Sequence, residues 1–137
     1  MSAMNLATQC SGAPNAQPSV WVIDDNAEFS RAFASYIEIM TQSYATTSFS
    51  SVESALAKLK EGTISPDVVL LDVEMPGMNG LDGIIPLKQS APNCRIYMLT
   101  DTDSVWHRRV AAQRGASGYL LKPEVSRENF VAILKSR

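Results

Sequence analysis

The sequence predicts an α/β protein in which five parallel strands form one doubly wound sheet, with five helices packed on its two faces. Four short segments are apolar throughout rather than alternating, which is typical of parallel strands that are covered on both sides. Segments with apolar residues at helical spacing separate them, as expected of βαβ units. The chain of 137 residues is long enough for one such domain and too short for two ordinary ones.

Each apolar segment leads directly into polar side chains. The four segments and the residues that follow them are 20–23 before Asp24 and Asp25, 68–71 before Asp72, 96–99 before Thr100, and 119–121 before Lys122. In open parallel sheets, ligands bind beyond the carboxyl ends of the strands. We therefore expect three carboxylates, one hydroxyl and one ammonium group to meet at a single edge of the sheet.

Local signals predict the remaining elements. Residues 1–18, rich in Ser, Ala, Asn, Gln and Pro, predict a flexible tail, which leaves residues 19–137 as the domain. Ser50 and Glu53 have the capping-box spacing of a helix start. Pro86 predicts a kink or an early break in the third helix, because proline has no N–H to donate. The other predicted elements are helices over 27–40, 81–89, 104–114 and 126–135, and a further strand near 44–49.

Composition and charge restrict the functional classes. The chain is 45% hydrophobic and 19% charged with a formal net charge of −2, which favours neither a nucleic acid nor a membrane as partner. No apolar run approaches the roughly 18 residues that a membrane helix needs, and the residues before Arg31 lack the basic stretch of a secretion signal. Cys10 and Cys94 match no metal-ligand spacing and favour free thiols. We therefore expect a cytoplasmic protein.

The groups at the predicted sheet edge have a definite chemistry. Three crowded carboxylates raise one another's pKa values unless a cation lies among them. Oxygen ligands of this kind suit Mg²⁺, which binds one or two carboxylates together with water and phosphate oxygens. Lys122 supplies a mobile positive charge, and Thr100 supplies a hydroxyl for a phosphoryl oxygen. A metal, a cation, a hydroxyl donor and a nucleophilic carboxylate together indicate a phosphoryl-transfer site.

A resemblance to a known family supports the same chemistry. The stretch from Asp72 to Gly80 reads DVEMPGMNG and resembles the phosphoacceptor loop of bacterial two-component response-regulator receiver domains. The aspartate pair at 24 and 25, Thr100, and Lys122 with Pro123 match that family in order and approximate spacing. Each pair alone is weak evidence, whereas the loop is specific. The resemblance covers about residues 19–137 and implies a flavodoxin-like sheet with strand order 2-1-3-4-5.

The resemblance implies a role for each residue of the acidic edge. Asp72 would accept a phosphoryl group from a phosphohistidine of a sensor histidine kinase. Asp25, Asp72 and the backbone carbonyl of Glu74 would hold Mg²⁺ directly, whereas Asp24 would act largely through water. Lys122 would contact both the phosphoryl group and Asp72.

The resemblance also implies a switch that responds to phosphorylation. Thr100 would move toward the phosphoryl oxygen and Tyr119 would turn into the vacated space, so that the new anion stabilises one of two arrangements of the following loop and helix. The partner surface would then be the fourth helix, fifth strand and fifth helix, including Trp106, Arg108, Arg109 and Tyr119. Residues 88–137 carry nine basic and four acidic side chains, which predicts a partner with an acidic patch.

Two acids depart from the usual pattern of the family. Asp101 follows Thr100, where a small residue is usual, and Glu74 adds a second acid near the entrance of the site. The extra charge should repel a phosphodonor or the hydrolytic water, or compete for metal. We therefore predict an altered lifetime of the acylphosphate, in a direction that the sequence leaves open. An unchanged autodephosphorylation rate in Asp101→Ala would contradict this prediction.

Other interpretations of single residues are less specific. Either aspartate of the pair at 24 and 25 could cap the first helix, Trp106 could face the core or a partner, and the stretch from His107 to Arg109 is typical of a solvated helix face. A phosphatase of the haloacid dehalogenase type would need a second Asp two residues after its nucleophile, where this chain has Glu74. The Gly-rich loop of nucleotide hydrolases is missing. We therefore expect a signalling phosphoacceptor that catalyses only its own phosphoryl transfer and autodephosphorylation.

The output of the domain stays open at this point. A chain that stops at Arg137, where the fifth helix should end, favours a free-standing receiver that binds a downstream protein. The segment from Gly118 to Lys122 resembles receivers of regulators with a helix-turn-helix output, which favours one part of a DNA-binding transcriptional regulator. A phosphorelay intermediate is the third hypothesis, and a homodimer formed on phosphorylation is compatible with each. Direct binding of nucleic acid or membrane by this chain is not expected.

Overall fold

The computed structural model describes residues 18–41 and 44–122, together with residue 132. The predicted helix over 126–135, apart from residue 132, and the predicted tail, apart from Pro18, lie outside the described residues. Strands and helices alternate along the described chain. They are β1 (Ser19–Ile23), α1 (Ala27–Thr41), β2 (Ala45–Phe49), α2 (Val52–Lys60), β3 (Val68–Leu71), α3 (Gly80–Ser90), β4 (Arg95–Thr100), α4 (Val105–Arg114) and β5 (Gly118–Leu121).

All five strands pair in parallel in the order β2-β1-β3-β4-β5, which confirms the predicted fold class and strand order. The register places Ile23 opposite both Phe49 and Leu71, and Thr100 opposite Leu121. The strands therefore end near one another at the same edge. The chain reverses direction across the sheet between β1 and β3, and a crevice opens at such a switch point.

The burial pattern explains why some strands were easier to predict than others. Every residue of β3 is buried, as are all but the first residues of β1 and β4. One apolar cluster lies between the sheet and α2, α3 and α4, and a second lies between the sheet and α1. The edge strand β2, with sequence ATTSF, has no fully buried residue, so its apolar signal is weak.

The first helix begins at Ala27 as predicted, but the side chains that cap the first two helices differ from those that the sequence suggested. The Asn26 side chain accepts a hydrogen bond from the Phe29 N–H at 3.0 Å, so neither preceding aspartate caps α1 by this bond. Ser51 caps α2 by accepting from a backbone N–H three residues on, at 3.0 Å. The predicted capping box of Ser50 and Glu53 was therefore wrong by one residue, and the Glu53 carboxylate bonds elsewhere.

The third helix does not break at its proline. α3 continues through Pro86 to Ser90, so the predicted early break was wrong. The carbonyl that loses a partner belongs to Asp82, an exposed residue in the first turn of α3, where water can satisfy it. Among the described residues, no helix combines the length and apolarity needed to cross a bilayer; the cytoplasmic location stays a prediction.

Candidate functional site

Three aspartates meet where β1 and β3 end side by side. Ligand oxygens of Asp24, Asp25 and Asp72 all lie within 4.8 Å of one another. Asp24 and Asp72 are buried, with exposed fractions of 3% and 8%, whereas Asp25 is exposed. Such a set of oxygens fits a hard divalent cation better than a soft one. A bound cation would also reduce the electrostatic repulsion between the three carboxylates.

The ammonium group of Lys122 lies against this acidic cluster. Its Nζ is 2.7 Å from Oδ2 of Asp24 and 3.9 Å from Oδ2 of Asp72. Burial alone would lower the pKa of Lys122, but the hydrogen bond to Asp24 and the charge of Asp72 raise it overall. The ring of Phe29 lies 4.1 Å from the same ammonium and adds a cation–π contact. Phe29 lies in the first turn of α1, within the helix predicted over 27–40.

Both oxygens of Asp24 are already engaged by the protein. The backbone N–H of Asn26 donates to Oδ1 at 2.9 Å, and Lys122 donates to Oδ2 at 2.7 Å. The hydroxyl of Ser30 also donates to the Asp24 carbonyl at 3.3 Å. These bonds hold Asp24 in place and leave Asp25 and Asp72 better placed to offer oxygens to a cation.

The pKa of the Asp72 carboxyl group is raised above the usual value of an aspartate. Burial and the neighbouring charge of Asp24 raise its pKa from 3.8 to about 6, although Lys122, the Thr100 hydroxyl and the Glu74 backbone act in the opposite direction. Close to neutral pH the group is an anion, which a nucleophile must be, yet the anion is poorly stabilised in the metal-free protein.

The raised pKa of Asp72 makes a testable contribution to stability. Because the folded-state pKa of about 6 lies above the unfolded value of 3.8, ionisation of Asp72 lowers the free energy of unfolding. This destabilisation is absent below pH 3.8, grows between pH 3.8 and about 6, and is complete above that range. We expect Asp72→Asn to raise the free energy of unfolding of the metal-free protein by on the order of 2 kcal/mol at pH 7.5 and by almost nothing at pH 3.5.

Urea denaturation of both proteins at the two pH values measures this difference. Adding Mg²⁺ at the higher pH should stabilise the wild type more than the variant, since the variant lacks one of the three carboxylates whose repulsion the cation relieves. An equal gain from Asp72→Asn at both pH values would contradict the assigned electrostatics.

A line of contacts runs from the site to the surface through the β4–α4 loop. Thr100 is buried, and its Oγ1 accepts a hydrogen bond from the Thr102 N–H at 3.2 Å. The carbonyl of Thr102 accepts from the Tyr119 hydroxyl at 2.5 Å. Arg108 lies over the Tyr119 ring at 4.7 Å and forms an ion pair with Asp103 at 3.0 Å. Burial raises the pKa of Tyr119, so its hydroxyl stays protonated and able to donate.

The loop between β3 and α3 returns very close to the end of β3. Gly80 donates its N–H to the Val73 carbonyl at 2.8 Å, and a Cβ at Gly80 would lie only 1.9 Å from the Asp72 carbonyl oxygen. The Asn79 side chain caps α3. Gly77 has a φ of +75°, which favours glycine. The identities of these loop residues therefore follow from the path that the backbone takes around Asp72.

Comparison with known proteins identifies the family. Residues 20–135 match the family described as the response regulator receiver domain. The chain belongs to this family. Receiver domains are the phosphoaccepting parts of two-component signalling systems.

Curated relatives of this receiver domain include longer proteins. It is 32% identical over 101 residues to the transcriptional regulatory protein LnrK of Bacillus subtilis, an alignment that covers 74% of this chain and 45% of LnrK. It is 34% identical over 123 residues to a protein-glutamate methylesterase/protein-glutamine glutaminase of Maricaulis maris, covering 84% of this chain and 30% of that protein. The chain thus spans less than half the length of either relative.

Solved structures share the fold. A response regulator from Burkholderia pseudomallei, solved with a phosphorylated aspartic acid, a calcium ion and citrate, superimposes with a TM-score of 0.77 at 29% identity, covering 88% of this chain and 68% of that one. A CheY-like receiver domain from Methanospirillum hungatei superimposes with a TM-score of 0.78, covering 88% of this chain and 92% of that one. At 19% identity the second likeness concerns the fold alone.

The receiver domain exposes an aromatic side chain on α4. Trp106 is 63% exposed, which settles the open choice between core and surface, and Arg108 and Arg109 are exposed as expected. His107 differs from the predicted solvated face, because it is half-buried and its Nδ1 is buried. Trp106 and His107 line a groove of about 570 Å³ between α4 and the β3–α3 loop.

Proposed function

We propose that this receiver domain is switched by phosphorylation of Asp72, which takes a phosphoryl group from a phosphohistidine of a sensor histidine kinase. The observation that carries the proposal is the position of the Asp72 carboxylate, which is buried, within 4.8 Å of the carboxylates of two further aspartates and 3.9 Å from the Lys122 ammonium. A nucleophilic carboxylate, a cation and a buried hydroxyl in one crevice are the groups that phosphoryl transfer requires.

The transfer itself is a displacement at phosphorus. An oxygen of the Asp72 carboxylate attacks the phosphorus, the bond from phosphorus to the histidine nitrogen breaks, and the nitrogen keeps the electron pair as the leaving group. Lys122 can turn from Asp24 to the incoming phosphoryl oxygens, since it already reaches both carboxylates. The Glu74 backbone lowers the pKa of the Asp72 carboxyl group, which favours the anionic form that attacks. The chain acts on itself in this step and has the role of a signalling phosphoacceptor.

The acidic cluster is the proposed Mg²⁺ site. Asp25 and Asp72 would be direct ligands, together with the backbone carbonyl of Glu74, while Asp24 would act through water because its oxygens already bond to Asn26 and Lys122. When bound, Mg²⁺ supplies positive charge that neutralises the carboxylates and the phosphoryl oxygens. The donor set of three carboxylates within 4.8 Å fits this ion.

The proposed switch uses the contacts between Thr100 and Tyr119. If the Thr100 hydroxyl turns to a phosphoryl oxygen on Asp72, the Thr102 N–H loses its acceptor. The Thr102 carbonyl accepts a hydrogen bond from the Tyr119 hydroxyl, and Arg108 lies over the Tyr119 ring. A change at Thr100 would therefore shift the start of α4 and the surface of Trp106, Arg108, Arg109 and Tyr119 together. An inward turn of Tyr119 stays part of this proposal.

Intact-mass measurement tests the proposal. We expect one added phosphoryl group after incubation with acetyl phosphate and Mg²⁺, and none when EDTA is present. Asp72→Asn should gain no group, while Asp67→Asn, at an exposed aspartate five residues earlier that accepts a hydrogen bond from the Ser19 N–H, should gain one as the wild type does. An adduct that survives in Asp72→Asn would sink the proposal.

The DNA-binding regulator is the second candidate for the whole protein. LnrK is a transcriptional regulatory protein, and this chain aligns with 45% of its length. In such a protein the switch surface would bind an output domain or a second receiver. Light scattering before and after acetyl phosphate treatment distinguishes these partners: phosphorylation-dependent dimers favour the receiver as partner, and a monomer in both states favours an output domain or downstream protein.

A further inference from the structure

Glu53 lies far from Asp72 in the sequence but contacts the loop that follows it. Its carboxylate leaves the first turn of α2 and accepts a hydrogen bond from the Met78 N–H at 3.2 Å. The same oxygen lies 3.1 Å from the position that a Cβ would take at Gly77. Gly77 and Met78 in the loop between β3 and α3 thus lie against one carboxylate oxygen, and the missing side chain of Gly77 leaves room for it.

The contact replaces a role that the sequence assigned to Glu53. As the last residue of a capping box, Glu53 would have accepted a hydrogen bond from the backbone N–H of the cap residue, Ser50. Ser51 makes the capping bond of α2 instead, which frees the Glu53 carboxylate to cross to the loop. The α2 helix is itself fixed, because Val52, Ala55 and Leu59 are buried in the larger apolar cluster.

Two hydrogen bonds restrain the part of the loop next to α3, and the Glu74 carbonyl lies in the part next to Asp72. Gly80 bonds back to Val73 at 2.8 Å, and Glu53 holds Met78 at 3.2 Å. Between these restraints and Asp72 lies Glu74, whose backbone carbonyl is the third proposed Mg²⁺ ligand. A loop that is held in one conformation before the ion arrives loses less conformational entropy when it binds.

We propose that Glu53 is a positioning residue for the loop between β3 and α3. Its carboxylate holds the Gly77–Met78 peptide by accepting a hydrogen bond and so preorganises the Glu74 carbonyl for Mg²⁺. This inference rests on the proposed function of the acidic cluster. Outer residues that orient metal ligands typically change affinity when they are removed. Here one exposed hydrogen bond is involved, so the effect is moderate.

Two variants separate the hydrogen bond from the charge. Glu53→Ala removes both the acceptor and the acidic side chain, whereas Glu53→Gln keeps a carbonyl acceptor of the same reach and removes only the charge. Glu61→Ala, at an exposed glutamate just after the same helix, is the matched control for loss of a surface acid. We expect Glu53→Ala to raise the Mg²⁺ dissociation constant roughly fivefold, with Glu53→Gln and Glu61→Ala close to the wild type.

A second readout does not depend on the metal. Hydrogen exchange of the Met78 amide in the metal-free protein should be about fivefold to tenfold faster in Glu53→Ala and nearly unchanged in Glu53→Gln. Wild-type values for both the Met78 amide and the Mg²⁺ affinity in Glu53→Ala would overturn the inference. Equal weakening in the Ala and Gln variants would also overturn it, because charge rather than a positioned acceptor would then be responsible.

The outcomes also distinguish this inference from the proposed function. If the wild type takes no Mg²⁺ and no phosphoryl group, the proposed function fails and this inference fails with it. If the wild type binds Mg²⁺ and is phosphorylated while Glu53→Ala does the same with unchanged affinity, only the role of Glu53 is refuted.

Discussion

Replacing Lys122 with methionine is expected to lower the free energy of unfolding at pH 7.5 by about 3 kcal/mol. The substitution keeps most of the apolar stem but leaves the buried carboxylate of Asp24, which is 3% exposed, without the ammonium 2.7 Å away. The charges of Asp24 and Asp72 then repel each other without a cation between them. Urea denaturation of the metal-free protein measures the loss, and Mg²⁺ should restore part of it.

Lys58→Met is the matched control for this experiment. Lys58 pairs with Glu61 at 3.0 Å, but the two side chains are 40% and 56% exposed, so its loss should cost less than about 1 kcal/mol. A Lys122→Met protein as stable as the wild type would mean that Lys122 does not stabilise the acidic cluster in the way that the distances indicate.

Gly80→Ala is expected to have a large effect on both stability and phosphorylation. An added Cβ would lie 1.9 Å from the Asp72 carbonyl oxygen and 2.8 Å from its carbonyl carbon, so the backbone of the acceptor itself must move. We expect a loss of about 3 kcal/mol in the free energy of unfolding. Since small misplacements of reacting groups are costly, we also expect the rate of phosphorylation by acetyl phosphate to fall about tenfold or more.

Gly62→Ala provides the comparison. Gly62 has a positive φ, +75°, which Gly80 does not have, and no atom lies within 4 Å of the added Cβ, so backbone strain alone should cost about 1 to 2 kcal/mol. Its phosphorylation rate should equal that of the wild type. If Gly80→Ala behaves no worse than Gly62→Ala on both measurements, the close approach of the loop to Asp72 is not a constraint on the site.

Much of the fold and the groups of the site could be predicted from sequence because parallel strands carry a local signal. The segments at 68–71 and 96–99 are apolar on both faces since both faces are covered, and each is followed directly by a residue that enters the crevice. The edge strand β2 gave a weaker signal because it is only partly covered. The predicted boundaries of most described elements differ from those observed by one residue at one or both ends.

The contacts that the sequence did not predict are those that depend on packing between distant segments. The Phe29 ring beneath Lys122 and the Glu53 bond to Met78 join residues that no short motif links. The predicted cap of α2 differs from the observed one by one residue because Ser50 and Ser51 are both serines. Only the backbone conformation determines which of them caps the helix. Pro86 was compatible with a continuous helix because its lost partner lies in an exposed first turn.

The most direct test of the central claim is to locate the phosphoryl group. After treatment with acetyl phosphate and Mg²⁺, borohydride reduction converts an aspartyl phosphate to homoserine, which marks the acceptor for peptide mapping by mass spectrometry. The account predicts homoserine at position 72 and at no other aspartate, with the conversion lost in EDTA. Homoserine at another aspartate, a phosphoryl group on His107, or unmodified Asp72 in a protein that binds Mg²⁺ would contradict it.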